Sequence, residues 1–142
     1  MKRTSLDLPS KLPFQTRLRA RITDMNYGGH MGYDALVGIL HEARIRYLES
    51  KGFTELDAGG GALMMVDAVV ICQREIFAGS DLTVDLGTAD SSRTSFNFFY
   101  RVRVGAKEHA RAKTGMIFFD YAAKRICKIP IAFHEACLHG EA

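Results

Sequence analysis

At 142 residues, with 47% hydrophobic and 25% charged side chains and a net charge of +3, the chain has an ordinary globular composition and the length of one domain able to bury its own core. So mild a charge suits an anionic small-molecule substrate at least as well as nucleic acid, for which a concentrated basic stripe would be expected, so no nucleic-acid partner is predicted. Cys72, Cys127 and Cys137 show no CxxC spacing and are odd in number, which argues against a disulfide framework or a zinc site and for a reducing, cytoplasmic compartment.

"MKRTSLDLPSKLPF" carries basic residues with no apolar stretch behind them, so no signal peptide is expected, and residues 1–12 read as a loose lead-in to a single domain spanning 1–142. Ala62 to Cys72, the longest nearly apolar run, is interrupted by Asp67 and falls short of the ~20 residues that span a bilayer, so no membrane partner is expected either. From Phe14, "FQTRLRARIT" alternates at Leu18, Ala20 and Ile22, the period of a half-buried strand.

The pattern changes between Met31 and Ser50. Leu36, Leu40, Ala43 and Tyr47 keep helical spacing, while Val37, Ile39, Ile45 and Leu48 widen the apolar surface, which predicts a long helix wrapped by other structure. Gly52 is placed to end it. Strands then follow in "ALMMVDAVVICQREIF", "SDLTVDLGTAD", "TSFNFFYRVRV" and "HARAKTGMIFFDY", with "AGSD" and "VGAKE" as hairpin turns. Pro130 opens a short terminal helix, "PIAFHEACL".

Where the first strand hands over to the long helix, "ITDMNYGGHMGYDAL" crowds polar side chains beside flexible backbone. Unpaired N–H groups and the positive dipole end of a helix N-terminus can hold an oxyanion, and Gly28 and Gly29 admit close approach to the backbone. An oxyanion is therefore expected near the N–H groups of Gly29 to Gly32, with Met31 and Tyr33 beside it; the alternative is that the glycines only serve a tight turn. Asn26 can orient water or bond a carbonyl, and is also a common turn residue. His30 is a general base or water-positioning group, or else a structural histidine at a helix start. Asp24, an acid at a strand end, is the less favoured candidate base and reads chiefly as a cap for backbone N–H groups behind the reacting ones. Asp67, inside an apolar strand, needs a structural partner. Cys72 reads as an inert core thiol, and His109, His134 and His139 lack ligand spacing, so no metal is predicted.

"DMNYGGHMGYDAL", "HEARIRYLESKGF", "REIFAGSDLTV", "RTSFNFFYRV" and "TGMIFFDY", in this order, resemble the hotdog-fold acyl-CoA thioesterases, specifically the 4-hydroxybenzoyl-CoA thioesterase-like family. The resemblance implies an α+β fold in which a curved antiparallel sheet wraps one long central helix. It also implies hydrolysis of an acyl-CoA thioester without a cofactor, in a homodimer or homotetramer whose site lies at the protomer interface. Many of these enzymes carry a nucleophilic or basic aspartate where this chain has Asn26, which cannot take a proton. Helix glutamates serve as base in other hotdog thioesterases, so the resemblance makes Glu42 the leading carboxylate; its plain alternative is an ion pair with Arg46 one turn on. His30 stands where the similar plant acyl carrier protein thioesterases carry a functional histidine. For coenzyme A phosphates the last two long strands offer Arg93, Arg101, Arg103, Lys107, Arg111 and Lys113, while Phe96, Phe98 and Tyr33 suit an acyl group.

Two other functions compete. Hotdog hydratases use Asp-x-Asn-Pro-x-His, but this chain lacks the proline and puts three residues between Asn26 and His30 where that pattern has two. A non-catalytic acyl-thioester-binding module is compatible with asparagine at position 26.

Overall fold

A computed structural model describes residues 2–138, so His139 lies outside the described residues. The elements are β1 (Phe14–Arg19), a 3-10 turn (Ile22–Asp24), α1 (Tyr33–Ser50), β2 (Ala62–Cys72), β3 (Asp81–Ala89), β4 (Ser95–Val104), β5 (Lys107–Asp120) and β6 (Arg125–Cys127). Ile131–Phe133 is a helical turn that runs into a π-helical turn, His134–Leu138, and Pro130 caps it from just outside. The strands form one antiparallel sheet in the order β1-β3-β4-β5-β2, with β6 beside β5.

β4 shows why these residues form a sheet. Phe96, Phe98, Tyr100 and Val102 alternate onto one face, each at most 1% exposed, while Asn97, Arg101 and Arg103 point to the other. α1 lies on the apolar face: the Tyr47 ring meets Phe98 and Phe14 edge-on, with centroids 5.7 and 5.4 Å away. Its buried stripe is Leu36, Ile39, Leu40, Ala43, Arg44, Tyr47 and Leu48, whereas Tyr33, Asp34, Gly38, His41, Glu42 and Glu49 are exposed. The helix is thus packed along one side within a single chain, where its sequence had suggested wrapping. Phe96 and Phe98 are core side chains with no free face for an acyl group, while Tyr33 is 65% exposed.

Other expectations are corrected by pairing. "VGAKE" joins the β4–β5 hairpin, but "AGSD" joins no hairpin, because β2 pairs with β5 at the far edge of the sheet. Residues 73–80 cross back beneath the start of α1, and the turn then bonds to the end of β1 (Gly79 N–H to Ala20 O, 2.7 Å; Ala20 N–H to Ser80 O, 2.9 Å). β6, only three residues long, is too short to show a period. The lead-in is not loose throughout: Arg111 donates to the Leu6 carbonyl at 2.8 Å, and the Lys11 carbonyl lies 2.8 Å from where a Cβ would stand on Gly87.

Asp67 has its structural partners. It follows a bulge in β2, accepts the Gly115 N–H at 2.9 Å and lies 3.0 Å from the Lys113 ammonium. A Cβ on Gly115 would stand 2.8 Å from Asp67 Cγ. Gly115→Ala is therefore expected to expel this carboxylate and cost about 1–3 kcal/mol, read as a lower urea midpoint. An unchanged midpoint would show that the bulge accommodates the methyl group.

Most of the basic side chains expected to meet phosphates are engaged elsewhere. Arg101 pairs with Glu108 at 2.9 Å, Arg103 with Asp85 at 2.8 Å, Arg111 with Glu108 at 2.9 Å and Lys113 with Asp67. Burial alone would raise the Glu108 carboxyl, but its bonds to arginines and Gln73 outweigh this and hold it below the usual range.

Candidate active site

The junction between β1 and α1 is built by its own backbone. Met25 and Met31 form an isolated antiparallel bridge, Asn26 N–H donates to the His30 carbonyl at 2.8 Å, and Gly29 N–H donates to the Asn26 carbonyl at 3.0 Å. Gly29 sits at φ +82°, where a side chain would be strained, so this glycine does serve a turn. Asn26 Oδ1 accepts the Gly28 N–H at 2.9 Å, which fixes the amide and leaves its Nδ2 donors for other partners. Met31, 8% exposed, is pinned by its N–H to the Ile76 carbonyl at 2.8 Å.

Beside this loop lies a cleft of about 230 Å³. Asn26, His30, Met31, Gly32, Tyr33 and Leu36 form one wall, and Cys72 to Ile76 the other. His30 Nδ1 lies 3.3 Å from the Met31 carbonyl, which can only accept, so Nδ1 is the donor and the neutral ring leaves a lone pair on Nε2. That Nε2 stands 3.4 Å from the Cβ position of Gly28, next to Asn26 Oδ1 at 3.2 Å. His30 Nε2 and the Asn26 amide oxygen therefore both border the space above Gly28.

The open N–H groups match those expected only in part. Those of Gly29 and Met31 are used inside the fold. α1 begins at Tyr33 with Gly32 as its N-cap and no side-chain cap, so the N–H groups of Tyr33, Asp34 and Ala35 have no acceptor among the described residues. The donors left open at this end of α1 are thus those of its first turn.

Asp24 and Glu42 are not part of this cleft. Both line a separate groove on the other side of α1, with Arg17, Arg19, Arg21 and Arg46. Asp24 accepts the Arg21 backbone N–H at 2.9 Å and its guanidinium at 3.1 Å, and the guanidinium holds its carboxyl below the usual range. This is the capping role its position suggests. Glu42 is half exposed and pairs with Arg46 at 2.8 Å, so within one chain it does not meet Asn26 or His30.

Cys72 is a correction. It ends β2 exposed on the cleft wall instead of in the core, because the strand stops there and the chain turns away. Packing around its sulfur raises the thiol, and a hydrogen bond with the Tyr33 hydroxyl offsets part of that. The whole far wall, Gln73 to Ile76, went unnoticed in the sequence, where it reads as the end of a strand.

Among the described residues no three His, Cys, Asp or Glu side chains gather as a metal site, and no helix is long and apolar enough to cross a membrane. The fold is shared with solved structures. A 1,4-dihydroxy-2-naphthoyl-CoA thioesterase from Synechocystis superposes with a TM-score of 0.81 at 20% identity, over 89% of this chain and 96% of that one. A hypothetical protein from Aquifex aeolicus gives 0.81 at 24% identity, over 88% and 99%. A Staphylococcus aureus protein in complex with CoA gives 0.78 at 16% identity, over 87% and 80%. No curated protein sequence matches. The model of the thioesterase-like superfamily matches residues 20–137, and with the six-stranded antiparallel sheet and the cleft at the start of α1 this shows that the chain belongs to that superfamily.

Proposed function

We propose that the protein hydrolyses an acyl-CoA thioester to the free acid and CoA in the cleft at the start of α1. The observation that carries this reading is the meeting of three groups at one apolar-walled opening: the Asn26 amide, the His30 Nε2 lone pair and the uncapped N–H groups of the first helical turn. Asn26 orients the water and the thioester carbonyl. His30 Nε2 accepts one of the water's hydrogens. The helix N-terminus receives the charge that forms on the carbonyl oxygen. Tyr33 and Met31 border the acyl group, and Gly28 and Gly29 keep the approach open. The similarity to a CoA thioesterase and to a protein crystallised with CoA supports coenzyme A as the carrier.

The active form is proposed to be a homodimer or larger homo-oligomer. β2 is an edge strand, and Met65 and Val66 on it are 42% and 54% exposed, an edge that a second copy would cover. Glu42 would reach a cleft only from another subunit.

The test is release of free thiol from short, long and aromatic acyl-CoAs. Wild type is expected to turn over at least one of them. Asn26→Ala should lose about a hundredfold in kcat, the scale of one lost transition-state hydrogen bond. Glu42→Gln should stay within about threefold, since its carboxylate serves an exposed ion pair. Saturable binding without turnover of any thioester would leave the non-catalytic binding module.

A further inference from the structure

The site needs a group that keeps the proton taken from water, and asparagine at position 26 cannot do so. Asp24 is held by Arg21, and Glu42 by Arg46 in the other groove. Asp34, in the first turn of α1, lines neither the cleft nor the other groove but borders the cleft across Gly32. It is exposed and has no hydrogen bond or ion pair among the described residues. Its Oδ1 lies 2.7 Å from where a Cβ would stand on Gly32, and Asn26 Nδ2 lies 3.8 Å from the same point. Only a glycine at position 32 lets that carboxylate fold back beside the amide. Asn26 therefore stands between two proton acceptors, His30 Nε2 on the Gly28 side and Asp34 on the Gly32 side.

Resting on the hydrolase reading above, we propose that Asp34 is the general base of this site. Water gives one proton to the Asp34 carboxylate and points its other hydrogen at His30 Nε2. Its oxygen forms the new bond to the thioester carbon, and the carbonyl electron pair moves onto oxygen at the start of α1. Collapse of that adduct breaks the carbon–sulfur bond, and the departing thiolate takes the proton back from Asp34. Acid and thiol leave, and the carboxylate is restored. As Asp34 becomes neutral its charge disappears while the oxyanion forms, so the two negative charges do not compete for the helix N-terminus. The titratable groups that line the cleft itself are His30 on the loop, Tyr33 at the start of α1, and Cys72, Arg74 and Glu75 on the far wall.

A carboxylate in a first helical turn also complements the helix dipole, so stability alone is no test. Thiol release would be followed on the acyl-CoA that wild type turns over fastest, with Asp34→Asn and Asp34→Glu, alongside melting curves. Asp34→Asn is expected to lose about a hundredfold or more in kcat with KM nearly unchanged. Asp34→Glu should recover at least about tenfold of that loss, because a displaced carboxylate still accepts a proton. A kcat in Asp34→Asn within about threefold of wild type overturns the assignment, and so does a loss that Asp34→Glu fails to recover. Absence of wild-type turnover on every acyl-CoA overturns the hydrolase reading itself, which separates the two failures.

Discussion

Arg44→Ala is expected to cost about 3 kcal/mol of folding stability, far more than removal of the neighbouring surface cation Arg46. Arg44 is 5% exposed on the inner side of α1, an unusual place for a guanidinium. It donates from Nε to Glu55 at 3.2 Å and from Nη1 to the Tyr100 hydroxyl at 3.2 Å, and that hydroxyl meets Thr114 Oγ1 at 2.6 Å. His41 reaches the other Glu55 oxygen at 2.7 Å. The chain of bonds fastens the loop after α1 to the helix and to β4 and β5. Truncation leaves a cavity and removes the main cation beside Glu55. The cost stays at the low end for a broken buried pair because the Glu55 side chain is 27% exposed and water answers part of the loss. Arg44→Met, which keeps much of the volume, should cost less. Unfolding in urea measures both, and equal midpoints for Arg44→Ala and wild type would show that the network adds nothing net.

The same network has a pH signature. Burial alone would raise the Glu55 carboxyl, but its bonds to His41 and Arg44 outweigh burial and hold it below the usual range. A carboxyl that is lower in the folded than in the unfolded chain stabilises the fold above the ordinary carboxylate range. That stability is lost as pH falls through the lowered folded value. Arg44→Ala should therefore flatten the acid side of the stability curve as well as lower the whole of it. Tyr100, buried against Arg44 and Thr114, has its phenol pushed up by burial and stays neutral throughout.

His30→Ala is expected to lose about a hundredfold in kcat while the melting temperature hardly moves. The imidazole makes one long hydrogen bond, 3.3 Å to the Met31 carbonyl, and is only partly buried, so little of the fold depends on it. Its contribution is the Nε2 lone pair turned toward the glycine turn and Asn26. If His30 and Asp34 hold the two hydrogens of one water, their losses cannot add. The double variant with Asp34→Asn should be about as slow as the slower single one, because the water is already misplaced. Steady-state thiol release decides this, and multiplied losses would mean that the two groups act on different atoms.

How far the chain could be read without its structure follows from the range of each signal. The alternation of Phe96, Phe98, Tyr100 and Val102 announced β4, and the spacing of Leu36, Leu40, Ala43 and Tyr47 announced α1, because a period of two or of 3.6 is set by each residue's own neighbours. The crowding of Asn26, Gly28, Gly29 and His30 at a strand-to-helix junction was equally local, so the position of the cleft was legible. Asp67 advertised its need for a partner, though not that the partner would be a glycine N–H across a bulge.

Long-range choices left no such mark. β2 passes over its neighbour in sequence, β3, to pair with β5, which brings Cys72 and the segment after it to the cleft as its far wall. Helical spacing says which residues share a face but not what that face meets, so Glu42 read as the leading carboxylate base and lies instead, paired with Arg46, in an arginine groove beyond the helix. Asp34 carried no signal of its own in the sequence. Its proximity to Asn26 depends on how the loop folds over Gly32, a contact made in space and invisible to any period. By itself, then, the sequence determined the five longer strands, the long helix and the junction where the chemistry is proposed. The tertiary structure decided which acids stand near that junction, because packing and not helical spacing sets which side of α1 borders the cleft.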